Sequence, residues 1–410
     1  MLKLNLIHTV AFAGIVLFMG YGLRRLVRPL ERLNIPAPVV GGLVIAFLTL
    51  IMRHYGLTLF EFDITLRDPL MIAFFTTIGF AASIAFLKKG GPQVLVFFLA
   101  ATIFAVLQNL CGILIALMVG VKPLFGVLAG SVTLTGGPAT GLAFAPLFEK
   151  AGVSGAATIA IAAAMFGIVS GGLVGGPIGT FLIERHKLKK PRVKGLALEL
   201  ASAENIVEEK MGEPRVSIPV DEDKESYILL KNLVVILVAM WIGSWLSGLF
   251  TRVGITLPAY VGAMFVAAII RNVDDWTGWL QLSQRTLDDI GHIALSLFLV
   301  IALMTLRLWE LAGLILPLVI ILLGQLILVS LVSAGPIFRL MGRDYQSAVM
   351  SVGFFGFMMG TIANAMATMK TIVEKYGSSK HAFLVASMVG AFFIDFTNAL
   401  IITVFLNIFK

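Results

Sequence analysis

The sequence predicts an all-α polytopic membrane protein made of two inverted five-helix repeats, each with a re-entrant hairpin, and ten membrane spans in total. Three observations predict this fold class: the composition, the length of the apolar runs, and two glycine-rich interruptions within them. Of the 410 residues, 59% are hydrophobic and only 13% are charged, and a soluble domain of this length would need more charge to cover its surface. Apolar runs of about 17–25 residues, the length that crosses a bilayer, recur along the whole chain.

The elements fall into two halves separated by a polar segment. The first repeat is predicted at 1–183, with spans near 5–23, 36–52, 69–87, 93–119 and 153–183 and a re-entrant hairpin at 124–148. The segment 184–227 is basic and then acidic, which predicts a solvated linker. The second repeat is predicted at 228–410, with spans near 228–250, 257–272, 290–306, 311–333 and 382–409 and a hairpin at 346–375.

The hairpins are predicted from residues that break helices inside apolar runs. Residues 130–141 carry four glycines, four hydroxyl side chains and a proline. Backbone groups freed at membrane depth are tolerated only where they are buried in protein or line a watery cavity. Residues 353–364 show a second irregularity of this kind. The alternative is a glycine-rich helix that packs closely against its neighbours.

The halves repeat, and their charges predict how they are oriented. Ile35–Val39 matches Leu257–Val261, and Leu147–Gly152 matches Ile372–Gly377, at nearly the same separation along the chain. Five spans per half would turn the second half upside down. If neither hairpin crosses, most of the 31 Lys and Arg residues lie on the side of the loop 24–35 and the linker. The positive-inside rule then predicts a cytoplasmic linker and both termini outside.

Inverted repeats with broken elements at mid-membrane are how many secondary transporters build one site that opens to either face. The hairpin tips therefore supply the candidate substrate-binding residues Ser131, Thr133, Thr135, Gly136, Gly137, Thr140, Gly360, Thr361, Asn364 and Thr368. A passive channel would need a continuous polar pore. An intramembrane hydrolase would need a nucleophile paired with histidine or a second deep acid. The net charge of +8 fits basic cytoplasmic loops, so we expect no nucleic-acid partner.

Asp395 is the one acid deep inside an apolar run, and a charge there is costly without a partner. Asn398 lies on the same helical face, and Thr361 could complete a shell of oxygen ligands, so these three residues predict a sodium site. A structural hydrogen bond between helices is the alternative. An anionic substrate would use free N–H groups at half-helix N-termini, with Lys370 and Arg307 as further candidates.

These residues resemble the bacterial sodium:glutamate symporter family, and the similarity is collinear over nearly the whole chain. It rests on Ile35–Gly42, Leu66–Met71, Leu128–Ser131, Gly171–Pro177 and Met388–Asp395 with Asn398–Leu400. The resemblance implies a homodimeric symporter of the bacterial inner membrane, with sodium as coupling ion, L-glutamate as substrate and an elevator-like motion.

The chain departs from the family pattern at both hairpin tips. Gly136–Thr140 lacks the histidine that the family usually has, and Thr361–Ala365 replaces an Ala-Thr-Pro-Thr-Ala sequence. A related small carboxylate therefore remains an alternative substrate. A sodium- or proton-coupled transporter of another amino acid or organic acid is the alternative function.

Overall fold

The computed structural model describes residues 2–57, 60–89, 91–188, 222–311 and 313–410, most of which are helical. The helices of the first half are α1 (Leu6–Leu26), α2 (Arg28–Arg32), α3 (Ala37–His54), α4 (Arg67–Ala81), α5 (Ile84–Lys89), α6 (Gly91–Met118), α7 (Pro123–Val127), α8 (Gly137–Lys150) and α9 (Ala156–Arg185). Those of the second half are α10 (Glu222–Arg252), α11 (Ala259–Thr277), α12 (Gln284–Met304), α13 (Ile315–Val332), α14 (Phe338–Leu340), α15 (Tyr345–Met358), α16 (Ile362–Tyr376), α17 (Lys380–Phe392) and α18 (Ile394–Phe409). Two short parallel strands, β1 (Leu2–Leu4) and β2 (Phe60–Phe62), pair near the N-terminus.

Seven of the described helical stretches are long and apolar enough to cross a membrane: α1, α3, α6, α9, α10, α12 and Ile315–Leu340. The pair Lys380–Gly390 and Ile394–Phe409, bent by 41°, adds an eighth if it is one span. This confirms the all-α polytopic class, whereas the ten spans and the inverted repeats stay predictions. Residues 189–221 of the predicted linker lie outside the described residues.

The predicted span 69–87 is wrong as a single helix, because it breaks at Ala82 and Ser83 into α4 and α5. The side chain of Asn272 on α11 replaces the lost helical hydrogen bonds. Its Nδ2 donates to Ala82 O at 2.9 Å, and its Oδ1 accepts from Ile84 N at 2.9 Å. No glycine or proline marks the break, so the neighbouring sequence did not reveal it.

The predicted span 382–409 is also divided, between α17 and α18 at Phe393. Asp395 therefore lies in the first turn of α18 rather than at a helix centre. A carboxylate is favourable at that position because the helix dipole is positive at the N-terminus. The division also leaves a half-helix beginning inside the protein.

Each of the two segments predicted as a hairpin contains a pair of helices joined by a break, and we call these segments hairpin 1 and hairpin 2; their re-entrant course through the membrane stays a prediction. Hairpin 1 comprises α7, a π-helical turn at Leu128–Val132 and α8, and its backbone departs from helical geometry at Gly130. Gly137, at the start of α8, has a φ of +69°, a conformation that glycine adopts without strain. Hairpin 2 comprises α15 and α16, which meet at Met359–Thr361.

The helices pack as two groups. The framework group contains α1, α3, α4, α10, α11 and α12, and the hairpin group contains α6, both hairpins, α9, α13, α17 and α18. Contacts within each group are denser than contacts between them. Small residues let the framework helices approach closely: a Cβ on Gly20 of α1 would lie 2.1 Å from Ala37 O of α3, and one on Gly243 of α10 would lie 2.2 Å from Ala263 N of α11.

Candidate substrate and ion site

The tips of the two hairpins meet. A Cβ on Gly137 would lie 3.5 Å from Gly360 O and 3.6 Å from Thr361 Cγ2, which is van der Waals contact. Gly137 is buried, and its positive φ turns the chain directly into α8. The two interruptions, far apart in the sequence, therefore form one feature of the structure.

A cavity of about 320 Å³ lies at this meeting point, and we call it the tip cavity. Its volume is at the lower end of the range for small-molecule sites. The hairpin group contributes the two tips and the first turn of α18. The framework group contributes the end of α1, the start of α3, and parts of α4 and α12. The tip cavity thus lies between the two groups of helices.

The tip cavity is lined by five of the ten predicted substrate-binding residues: Thr135, Gly136, Gly137, Gly360 and Thr361. The other five, Ser131, Thr133, Thr140, Asn364 and Thr368, are buried behind the tips. Thr133 donates to Leu128 O at 2.8 Å, and Asn364 Nδ2 donates to Ile168 O at 3.2 Å. In the structure, these two side chains hold the hairpins in place rather than facing the tip cavity.

A polar network behind the tips joins the two halves of the chain. Gln108 on α6 donates through Nε2 to Met358 O at 2.9 Å and accepts from Thr135 Oγ1 at 2.6 Å. Gln325 Nε2 donates to Gln108 O at 2.6 Å. The sequence predicts helix–helix hydrogen bonds for both glutamines, and the structure shows that Gln108 holds the two hairpins together.

Four of the described helices begin at the tip cavity, namely α3 of the framework group and α8, α16 and α18 of the hairpin group. The first N–H groups of a helix have no partner within the helix, and the helix dipole favours negative charge there. Thr361 caps α16 by accepting from Asn364 N, whereas no side chain caps α8. Such an arrangement is suited to an anionic group.

The described residues place two charged side chains on the tip cavity, Arg24 and Asp395. The sequence does not single out Arg24, because arginines are ordinary at the ends of spans. The alternative candidates do not reach the cavity: Lys370 is exposed on α16, and Arg307 lines a different cavity beside Arg53 and Trp309. One sequence feature could have pointed to Arg24. It lies at the end of the first span, which precedes Ile35–Val39, the proline motif that recurs at Leu257–Val261.

The three predicted sodium ligands are divided between two places. Asp395 and Thr361 line the tip cavity, and none of the described residues forms a hydrogen bond or ion pair with the Asp395 carboxylate. Asn398 is fully buried and donates through Nδ2 to Ser131 O at 2.9 Å. Its Oδ1 and the hydroxyl of Ser131 are buried with no partner among the described residues. Unpaired buried oxygens of this kind are able to accept a cation.

The fold and the tip cavity define the class: an all-α polytopic membrane protein with the broken helices typical of secondary transporters. The sequence model of the family described as Sodium/glutamate symporter matches residues 2–378. The chain belongs to this family, so the resemblance seen in its motifs is confirmed. It is a transporter family rather than an enzyme family.

Curated relatives match the chain over nearly its whole length. The chain is 37% identical over 409 residues to the sodium/glutamate symporter of Escherichia coli (strain K12), covering 99% of this chain and 98% of that protein. It is 38% identical over 398 residues to the sodium/glutamate symporter of Haemophilus influenzae, covering 97% and 96%. Among solved structures, the sodium proton antiporter MjNhaP1 from Methanocaldococcus jannaschii aligns over 98% of both chains with 14% identity and a TM-score of 0.35.

Proposed function

We propose that this protein is a sodium-coupled symporter of L-glutamate. The observation that carries the proposal is the tip cavity, where two hairpin tips, four helix N-termini and the Asp395 carboxylate converge in a chain of the sodium/glutamate symporter family. The helix N-termini suit the carboxylates of the substrate. The glycines of both tips allow the backbone to approach it closely.

Sodium binds, in this proposal, at Asp395 and Thr361 in the tip cavity. The unpartnered Oδ1 of Asn398, beside Ser131, offers a further oxygen ligand behind the tips. A carboxylate at membrane depth is costly unless a positive charge accompanies it, and none of the described residues is paired with Asp395. Thr361 belongs to a hairpin tip that lines the same cavity. Ion and substrate would therefore share the tips, and each would raise the affinity for the other by the same factor.

Transport follows from motion of the hairpin group against the framework group, an elevator-like alternating access. The packing into two groups supports this, because the tip cavity lies on the boundary between them. The inverted repeats are supported by the framework, in which Gly20 of α1 contacts α3 as Gly243 of α10 contacts α11. Two structurally related halves offer two equivalent packings of the hairpin group.

The membrane arrangement completes the proposal. We place the protein in the bacterial inner membrane as a homodimer, with both termini outside and the linker 184–227 in the cytoplasm. The loop 24–35 carries Arg24, Arg25, Arg28 and Arg32, and such basic loops lie on the cytoplasmic side.

Uptake into proteoliposomes tests the function. Purified protein is reconstituted, and labelled L-glutamate, L-aspartate, L-glutamine and a dicarboxylate without an amino group are offered with and without an inward sodium gradient. We expect uptake of glutamate that requires the sodium gradient and exceeds uptake of the other compounds. Uptake of glutamate that is indifferent to sodium, or a clear preference for a different compound, would contradict the proposal.

A further inference from the structure

We propose that Arg24 binds a carboxylate of the substrate only in the state that opens toward the loop 24–35. The binding site then carries one more positive charge in that state than in the state that opens to the opposite face. This inference rests on the proposed symport of glutamate and adds a residue that determines affinity at one face. It follows from the position of Arg24, from the asymmetry of the tip cavity, and from the residue that occupies the corresponding place in the second half.

Arg24 has the geometry of a ligand-binding cation. It lies in the last turn of α1, is half-buried and lines the tip cavity. Its Nε is buried without a hydrogen-bond partner, and the described residues form no ion pair with it. The neighbouring Arg25 is exposed. A buried N–H of a charged group is costly without a partner, and a substrate carboxylate would satisfy it with a charge-assisted hydrogen bond.

Arg24 comes from the framework group, as do the polar residues Tyr21 and Ser296 of the same cavity. The tips and Asp395 belong to the hairpin group and would move together with the substrate. Arg24 would stay with the framework. Its contact with the substrate is therefore available only while the hairpin group lies beside the end of α1.

The tip cavity is also asymmetric with respect to the two halves. Pro36, Ala37 and Pro38 of the first proline motif line it, whereas Leu257 and the rest of the second motif are not among its lining residues. The structure therefore shows the hairpin tips against the framework surface next to the loop 24–35. In the opposite state the tips would lie against the second motif.

The corresponding position in the second half carries no charge. Arg24 follows Gly20 by one helical turn on α1, and Ser247 follows Gly243 by one turn on α10. A Cβ on Gly20 would lie 2.9 Å from Gly41 N, and one on Gly243 would lie 2.2 Å from Ala263 N. Gly41 and Ala263 occupy the same place in the two halves, six residues after Ile35 and Leu257. The hydroxyl of Ser247 is already used, because it donates to Leu257 O. The opposite state would thus lack the cation that Arg24 supplies.

Transport measured separately from each face tests this inference. Arg24→Gln removes the charge and keeps a side chain of similar length, and Arg25→Gln is the matched control on the same turn. Right-side-out and inside-out membrane vesicles give the glutamate concentration for half-maximal transport at each face. We expect Arg24→Gln to raise that concentration by about tenfold or more at the cytoplasmic face, as the loss of a charge-assisted hydrogen bond implies. The value at the outer face should change by less than about twofold, and Arg25→Gln should change neither.

The outcomes separate this inference from the proposed function. Absence of sodium-dependent glutamate transport in the unaltered protein would refute the function itself. If that transport is present, an unchanged cytoplasmic value in Arg24→Gln, or equal changes at both faces, would overturn the role of Arg24. If Arg24→Gln is inactive at both faces, the Arg24→Lys variant decides, because it keeps the positive charge. It should restore transport, with a glutamate concentration for half-maximal transport at the cytoplasmic face near that of the unaltered protein. Failure of Arg24→Lys to restore transport would also overturn the inference.

Discussion

Asp395 and Arg24, the charged side chains that the described residues place on the tip cavity, lie on different groups of helices. Asp395 begins α18 in the hairpin group, and Arg24 ends α1 in the framework group. A zwitterionic substrate with an accompanying sodium ion carries charges of both signs, so the cavity offers a partner for each. The anionic partner moves with the substrate in the proposed mechanism, whereas the cationic partner does not.

Replacing Asp395 with asparagine should weaken sodium binding. The amide keeps the size and one oxygen but loses the charge, and contacts to charged groups contribute about 1.5–3 kcal/mol. We expect the sodium concentration for half-maximal glutamate uptake to rise by about tenfold or more. Because ion and substrate are linked, glutamate affinity at a fixed sodium concentration should fall as well.

The matched control is Asp68→Asn. Asp68 also lies in the first turn of a helix, but it is exposed and paired with Arg67 at 3.2 Å. The Asp68→Asn variant should leave the sodium concentration for half-maximal glutamate uptake unchanged. If Asp395→Asn behaves like this control, a structural role of Asp395 replaces the proposed role in sodium binding.

For single residues, the sequence pointed to a candidate functional side chain where its type was unusual for its surroundings. Asp395 was recognised because an acid in an apolar run is rare and costly. Arg24 was missed because arginines are ordinary at the ends of spans, where they reach the interface. The end of α1 is buried by helices that are distant in the sequence, since α1 packs against α3 and α12, and no local pattern reports such packing.

The hairpins are the elements that create the site. Each one places the start of a helix at the tip cavity, and their buried polar residues attach them to neighbouring helices. Gln108 shows this most clearly, since it contacts Met358 O of hairpin 2 and Thr135 of hairpin 1. The tips are therefore held by contacts that tie both hairpins to α6.

Valine at Gly136 or Gly137 should abolish glutamate uptake. A Cβ on Gly136 would lie 2.5 Å from Thr140 Cβ, and Gly137 has a φ of +69° that a β-branched residue rarely adopts. Each change would therefore displace the tip of hairpin 1. Uptake in proteoliposomes and the elution profile in detergent measure function and folding separately.

Gly14→Val provides the control for these substitutions. Gly14 lies on α1, and a Cβ there would meet nothing within 4 Å. We expect uptake close to that of the unaltered protein. Normal uptake by both the Gly136→Val and Gly137→Val variants would contradict the proposed role of the tip. Residues 130–141 would then be a glycine-rich segment that only packs closely against neighbouring helices.

Sequence patterns predicted the helix breaks within both hairpins but missed two other breaks. Clustered glycine, proline and hydroxyl residues marked hairpin 1, because these residues weaken helical hydrogen bonding locally. The breaks at Ala82 and Phe393 lack such a cluster: Ser83 is the one such residue at the first, and Phe393 stands between Phe392 and Ile394. At Ala82 the helix ends because Asn272, distant in the sequence, supplies the missing hydrogen bonds. A tertiary contact of this kind cannot be seen in a local window.

The described helices form two groups, and the chain passes between them at α5, between Arg185 and Glu222, and again around Leu308–Leu311. The positive-inside rule and the repeat motifs predicted the arrangement of the halves. The number of spans was harder to predict, because α4 has only 15 residues and α11 carries Arg271, Asp274 and Asp275. Length and hydropathy therefore do not identify these two helices as spans, and ten spans stay a prediction.

Cysteine labelling tests the orientation of the halves. In a background with Cys111 replaced by serine, a cysteine at Lys150 should react with an impermeant thiol reagent from outside. A cysteine at Lys375 should react from the cytoplasm, because inverted repeats place the two hairpin ends on opposite faces. Labelling of both positions from the same face would refute the inverted arrangement.

The central claim is that the tip cavity is the substrate site and opens to each face in turn. The most direct measurement places a single cysteine at Ala139, which lines the cavity and is partly accessible, and follows its reaction with an impermeant reagent from each face. We predict labelling from both faces, slowed at both by glutamate together with sodium, while a cysteine at Lys150 is labelled from outside only. Labelling of Ala139→Cys from a single face, or labelling at a rate that glutamate and sodium do not alter, would contradict the claim.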